Sequence, residues 1–447
     1  MPPPGPRPDQ APLSPAQERL WTIHYLADHR PDYLTTTALD LRGTLDTAAL
    51  RAAVGDVVDR HEVLRTVYPY TEGGPVQRIL PPGSAELDLK GADVPAAGLD
   101  EAVEAELGTG FDLLRRPPFR VRLFRVTDGR YLLLLVMHHI AVDGESLSPL
   151  LRDLATAYGS RLRGAPPAWA APAPQYADYA RWLRDRAGDE ADPGSTAASG
   201  ARYWRAAVAG LPDELPLPRD RPRSRAAGKG AATLAFSVDA AAHERIHRVA
   251  RECAATPYTV WHAALAAALT RLGAGTDIPV GVAVSGRGTE ALDDLVGCAV
   301  HTVVLRTATS GRPTGRELIG RVRDGLLAAH DHKEYPFDRL VELVNPERSA
   351  ARHPLFQVAV THTALRGDEA PRLPGLTARP RPVPVPHTEF DLLFHLTEEP
   401  GLGGVTGTLA YATALFDRAT AEDISTEILR MLQALTTDPD GVPPGPA

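Results

Sequence analysis

Residues 131–137, YLLLLVM, constrain this chain more than any other stretch. The run is apolar at every position, so it lacks the alternation of a half-buried strand, and it is far too short to cross a bilayer. It predicts a central strand covered on both faces. The run leads straight into HHIAVDGES, residues 138–146, so a buried strand leaves its sheet through two histidines, with an aspartate and a glycine close behind. Ends of central strands are where α/β folds hold reactive groups.

The rest of the chain supplies neighbours for such a strand. Residues 35–41 and 119–126 read as strands, the second with apolar and polar positions alternating. Ser14 precedes Pro15 and a helical pattern over 16–26, as an N-cap precedes a helix. Asp46 caps a helix carrying Leu50, Ala53, Val57 and Val58, which ends near His61, and a strand is expected at 64–68. Residues 138–144 form a loop, 147–163 a helix, and 176–186 another. Gly, Asp, Ser and Ala dominate 187–201, which reads as a linker. The second half repeats the style of the first. It predicts strands at 232–238, 278–284, 301–306, 356–361, 389–396 and 405–411, and helices at 240–252, 257–272, 316–329 and 418–435.

The expected division is a Pro-rich flexible arm at 1–12, a lobe at 13–190 that carries the histidines, a lobe at 191–440 and a flexible tail at 441–447. With 447 residues, 43% of them hydrophobic, the chain can bury large cores without disulfide or metal staples. The formal charge is 48 − 56 = −8, which argues against a nucleic-acid or anionic-membrane binder. Only Lys90, Lys229 and Lys333 are lysines, so the arginine excess reads as codon bias. Cys253 and Cys298 cannot build a disulfide framework. The N-terminus has no apolar segment of the signal-peptide kind. A cytoplasmic protein is expected.

In 138–146 an imidazole can accept a proton near neutral pH. Asp143 can shape the loop or orient a ring, and Gly144 lets the backbone approach a ligand. A His-His pair taken alone is more often structural. No metal is expected there, because adjacent histidines at a strand end point to opposite faces and no third ligand lies at helical spacing. His330, Asp331 and His332 read as a solvent-exposed helix end. Ser285-Gly-Arg-Gly288 is a glycine-bearing turn without a P-loop lysine. Tyr203, Trp204 and Trp182 read as packing residues, and Arg348 and Arg352 as solvated charges.

HHxxxDG at a strand end resembles the signature of the acyltransferase superfamily that includes chloramphenicol acetyltransferase and the condensation domains of nonribosomal peptide synthetases. Further segments, in order, resemble the condensation family. They are LSPAQERLWTIHYL (13–26), RHEVLRT (60–66), YADYARW (176–182), VGCAVHT (296–302, a degraded GxFVNT), HKEYPFD (332–338) and RSAARHPLF (348–356). The resemblance covers residues 12–440. It implies an α/β fold of mixed sheets, with two chloramphenicol-acetyltransferase-like lobes as a V-shaped pseudo-dimer around a central tunnel.

The implied reaction is acyl transfer from a carrier-protein phosphopantetheine thioester to an acceptor amine or alcohol, giving an amide or an ester. The partners would be a donor carrier protein and either a second carrier or a soluble acceptor. No cofactor is bound by the chain itself. His139 would be the active-site group, as base or as positioning residue, with His138, Asp143 and Gly144 completing the catalytic set and Arg65 the implied ion-pair partner of Asp143. The sequence departs from the family pattern at Glu145, where many relatives carry an aromatic residue, and at Ala299 and His301. Glu145, Ser146 and His301 are therefore candidates for shaping the acceptor side. The alternatives are a CoA-dependent small-molecule acyltransferase, a non-catalytic carrier-docking domain and an epimerase of similar fold. Both a free-standing enzyme and a piece of a larger synthetase fit the sequence.

Overall fold

The structure, a computed structural model, describes residues 10–445 apart from 27–30, 32, 85–88, 90, 224–229, 348, 350, 365–370, 384–386 and 399–403. It separates into two compact units. One comprises Met1–Arg186, Ser285–Val300 and Asp368–Pro384, and the other Ala187–Val284, His301–Gly367 and Val385–Ala447. A single cut near residue 190 therefore does not describe the first unit, which takes back two segments from the second half.

In the first unit, five strands lie in the order Leu376–Arg381, Leu34–Gly43, Arg130–His138, Phe119–Thr127, Gly91–Asp93. The all-apolar run occupies the central strand, antiparallel to both neighbours. Leu132, Leu133, Leu134, Val136 and Met137 are buried, which is why the run shows no alternation. The helices Thr47–Arg60 and Leu147–Arg161 pack together. Asp46 starts the first of them by accepting hydrogen bonds from the amides of Ala48 and Ala49. A core built from Leu50, Val54, Val58, Leu133, Val136 and Leu154 fills this unit.

The second unit has a six-stranded mixed sheet in the order Val300–Ala308, Asp277–Ser285, Val358–Ala364, Leu392–Glu398, Val405–Ala412, Ala231–Val238. The central pairs are parallel and the last two antiparallel. The Ala-rich helix Pro257–Leu269 is buried along almost its whole length and packs against Gly315–Asp331 and Arg418–Thr437. Its His262 is enclosed, and burial takes its pKa down to about 3, so the ring is neutral.

Several local expectations need correction. Residues expected as a strand at 64–68 form a 3-10 turn, Glu62–Arg65, followed by the short strand Thr66–Val67. The arm expected to be flexible ends in a strand, Gln10–Pro12, paired with Gly74–Ile79. Near the other end, the carbonyls of Gly441 and Gly445 accept hydrogen bonds from Gly315 and Arg271. The linker region at 187–201 contains the start of a helix, Thr196–Ala207, capped by Ser195. Among the described residues no helix is long and apolar enough to cross a membrane.

Candidate active site around the histidine pair

The strand Arg130–His138 ends opposite Leu34, and the chain turns at once. The His139 amide donates to the Tyr33 carbonyl (2.8 Å) and the Ala141 amide to the His138 carbonyl (3.0 Å). The two rings meet different surroundings.

His138 points inward and is 1% exposed. Its Nδ1 accepts from the Ile140 amide (3.1 Å), and the rings of His24 and Phe111 meet it edge to face. Burial, with His24 and His139 nearby, holds its pKa well below the usual range. It is a neutral packing residue whose Nε2 has no hydrogen-bond partner.

His139 is only half-buried. Its Nδ1 lies 2.6 Å from the Val142 carbonyl. A carbonyl only accepts, so Nδ1 carries a proton and Nε2 is the nitrogen left for chemistry. Burial alone would lower the pKa of this ring. The adjoining Cys298 thiol, the Asp143 carboxylate and the Val142 carbonyl more than reverse that and lift it to about 9.

Asp143 is buried and fully engaged. Its carboxylate accepts from the Ser146 amide (3.0 Å), the Ser146 hydroxyl (2.8 Å) and the Ala299 amide (2.9 Å). The expected pairing with Arg65 does not occur. Arg65 donates to the Leu80 carbonyl and lies 3.6 Å from Glu62. The partner of Asp143 is Arg287, whose two terminal nitrogens grip the carboxylate at 2.7 and 2.8 Å. Arg287 is itself buried, and it also donates to the carbonyls of Leu295 and Gly297. Its always-charged fork suits this bidentate grip. Sequence reading missed it because Ser285-Gly-Arg-Gly288 was weighed only as a phosphate loop. An arginine between two glycines, ten residues before Gly297, was the available signal.

The acceptor-side candidates separate. The Ser146 hydroxyl is held by Asp143 and by both backbone groups of Gly297 (3.1 Å each), so it braces the loop. The Glu145 carboxylate is half exposed and accepts from Ser285 (2.8 Å) and Arg287 (3.0 Å). His301 belongs to the second unit, where burial and Lys333 lower its pKa to about 4. Gly144 is exposed, and a Cβ there would meet nothing within 4 Å. The fold therefore does not require glycine at that position.

Motifs far apart in sequence meet around this loop. Gln17 donates to the Ile140 carbonyl (3.2 Å). Tyr176 donates to the Cys298 carbonyl (2.6 Å) and shares a hydrogen bond with Ser14 (2.8 Å). A Cβ on Gly297 would lie 1.8 Å from the Tyr176 ring, so only glycine fits there. The other motifs do different work. His61 and Arg60 hold the buried Asp153 (2.9 and 2.7 Å). His332 stacks on Tyr203 and its carbonyl accepts from Trp204, while His330 faces Lys333. Arg352 is mostly buried and paired with Glu347. Arg348 lies outside the described residues.

Two mixed α/β units and a histidine loop locked by an aspartate–arginine pair define the class, and the profile described as "Condensation domain" matches residues 8–442. The chain belongs to the condensation-domain family of nonribosomal peptide synthetases. It is 46% identical over 97% of its length to the probable non-canonical nonribosomal peptide synthetase CymA of Salinispora arenicola, covering 6% of that protein. It resembles the crystal structure of the X-domain from teicoplanin biosynthesis at TM-score 0.88 and 33% identity, covering 98% of this chain and 97% of that one. It resembles the crystal structure of SgcC5 from Streptomyces globisporus at TM-score 0.74 and 28% identity, covering 96% of this chain and 100% of that one. The chain spans only 6% to 18% of the length of the synthetases it matches.

Proposed function

We propose that this chain catalyses condensation, moving an acyl or aminoacyl group from a carrier-protein phosphopantetheine thioester to an acceptor amine or alcohol. The acceptor nitrogen or oxygen bonds to the thioester carbon, the carbon–sulfur bond breaks, and the acceptor's proton ends on the released thiol. The donor is already activated, so no covalent acyl-enzyme is needed. The phosphopantetheine arms arrive with the carriers as part of the substrates.

The observation that supports this reading best is the tautomer of His139. The Val142 carbonyl fixes Nδ1–H, which leaves Nε2 as the atom that takes or gives a proton. General acid–base help of this kind is worth about 10²–10⁴-fold. The neighbours that raise its pKa favour the protonated ring. It can donate from Nε2 to the tetrahedral oxygen or the departing sulfur, and it becomes a base only after losing that proton. Arg287 and His138 act through geometry, and Asp143 acts both through geometry and through its charge on the His139 ring. Asp143 occupies the Ser146 amide, so the Gly144 and Glu145 amides are the ones left to face an oxyanion. The bare Gly144 leaves room for the thioester to approach.

The test is intact mass spectrometry of a loaded donor carrier offered both amine and alcohol acceptors, with wild type compared to His139→Ala. Product that still forms at the wild-type rate in the variant removes the catalytic role of His139. Replacing the carrier by acyl-CoA separates the CoA-dependent reading, which requires comparable kcat/KM. A second reading is a protein-docking domain, favoured by the likeness to an X-domain that was solved as a complex with OxyB, at TM-score 0.89. Under that reading neither donor yields product and partner binding is unchanged by His139→Ala.

A further inference from the structure

The second unit carries its own cluster of histidines. The register of its sheet builds the cluster. Glu398 pairs with Val405, and Val405 with Val238. The end of the strand Leu392–Glu398 therefore lies two strands from the point where the helix Ala240–Glu252 begins. That helix places His243 and His247 four residues apart, on one face. On the other side, His362 pairs with Leu396, which shares a sheet face with Glu398.

One ligand atom from each of His243, His247 and Glu398 lies within 4.8 Å of the other two. The two Nε2 atoms are 2.8 Å apart. His362 Nε2 is 3.3 Å from Glu398 Oε1. Both of these atoms are buried and face each other as an ion pair without a well-aligned hydrogen bond. Buried polar atoms in native proteins nearly always make a well-aligned hydrogen bond, and a bound ion is one standard reason for a departure.

We propose that His243, His247 and Glu398 form a binding site for a borderline divalent cation of the zinc type, with His362 orienting the carboxylate. Two imidazoles and one carboxylate are a donor set that suits Zn²⁺ and leaves a fourth position for water. At Zn–N distances of about 2.0–2.1 Å, tetrahedral ligand atoms sit about 3.3 Å apart, so the two histidine nitrogens need to open by about half an ångström. Carboxylates that ligate metals are commonly hydrogen-bonded by a neighbouring side chain. The site would tie the helix to the strand end across two intervening strand registers. The His-x3-His spacing at 243–247 was its sequence signal, and the expectation of no metal rested on the other histidine groups alone.

The experiment uses the full chain without a histidine tag, stripped with a chelator and titrated with zinc chloride against a competing chromophoric chelator. Cobalt(II) gives a second readout through its visible spectrum. The expected result is one ion per chain with a four-coordinate cobalt spectrum, both lost in His243→Asn/His247→Asn and in Glu398→Gln. His362→Gln is expected to weaken binding about 10–100-fold. Substoichiometric binding by wild type overturns the proposal. So does affinity that survives the double variant, which would place the ion elsewhere. Circular dichroism of the metal-free variants shows whether a loss reflects the ligands or the fold, and Glu398→Gln, a near-isosteric change, provides the decisive case if the double variant does not fold.

Discussion

The Asp143 loop and the His243–Glu398 cluster both gather histidine and carboxylate side chains, yet they differ in polar satisfaction. The Asp143 carboxylate is fully engaged: Arg287, Ser146 and the Ala299 amide all donate to it. Around Glu398 two buried atoms face each other as an ion pair without a well-aligned hydrogen bond. A satisfied network holds a shape, and in the first unit that shape presents His139. An unsatisfied one has capacity for a ligand. The difference separates residues that build a site from residues that are one.

The largest expected effect is on His139, whose Nδ1 proton is held by the Val142 carbonyl. His139→Ala should lower condensation by about 10²–10⁴-fold, read by kcat/KM, with little change in melting temperature. A large loss of stability would place His139 with the scaffold. Arg287→Leu should do the reverse of that in kind. It leaves Asp143 buried without its cation and should cost about 3–5 kcal/mol in chemical denaturation. Arg65→Leu should leave the Asp143 loop intact, and an equal loss from both would reinstate Arg65 as a partner.

A smaller effect is expected on the pH profile. Cys298 is the first of the groups that raise the His139 pKa to about 9, so Cys298→Ala should move the His139 ionisation toward lower pH in both rate profile and histidine NMR. If His139 acts as a base, kcat/KM rises toward pH 9 in wild type and at lower pH in the variant. If it acts as an acid, the profile falls there instead. The same shift has a stability consequence. The folded pKa lies above the unfolded value near 6.5, so the stabilisation is complete below pH 6.5 and is lost as pH rises through 9. The smallest stability effect belongs to Gly144→Ala, whose new methyl meets nothing. It should change stability by less than about 0.5 kcal/mol while slowing turnover if the thioester passes there.

The legible parts of the sequence were the ones written in local pattern. The run at 131–137 predicted its own central burial, and the motif HHxxxDG pointed to the loop. Asp46 and Ser14 mark helix starts by the same local chemistry. What was not legible depended on contacts made across the chain. Arg65 and Arg287 are equally good cations on paper, and only the closing of 285–300 over the loop decides between them. The edge strand Leu376–Arg381 carries Pro380 and three arginines or threonines in six residues, too polar to announce itself. It becomes a strand because Leu34–Gly43 offers a free edge.

That late edge strand also sets a timetable. A ribosome must deliver more than three hundred further residues after Gly43 before the first sheet can be completed, and a shorter wait of 144 residues separates Asp143 from its neutralising cation at 287. Until then the nascent amino-terminal half exposes an unpaired border, a condition that invites misassociation. Fragments that stop near residue 190 should therefore be poorly soluble, however domain-like that boundary looks.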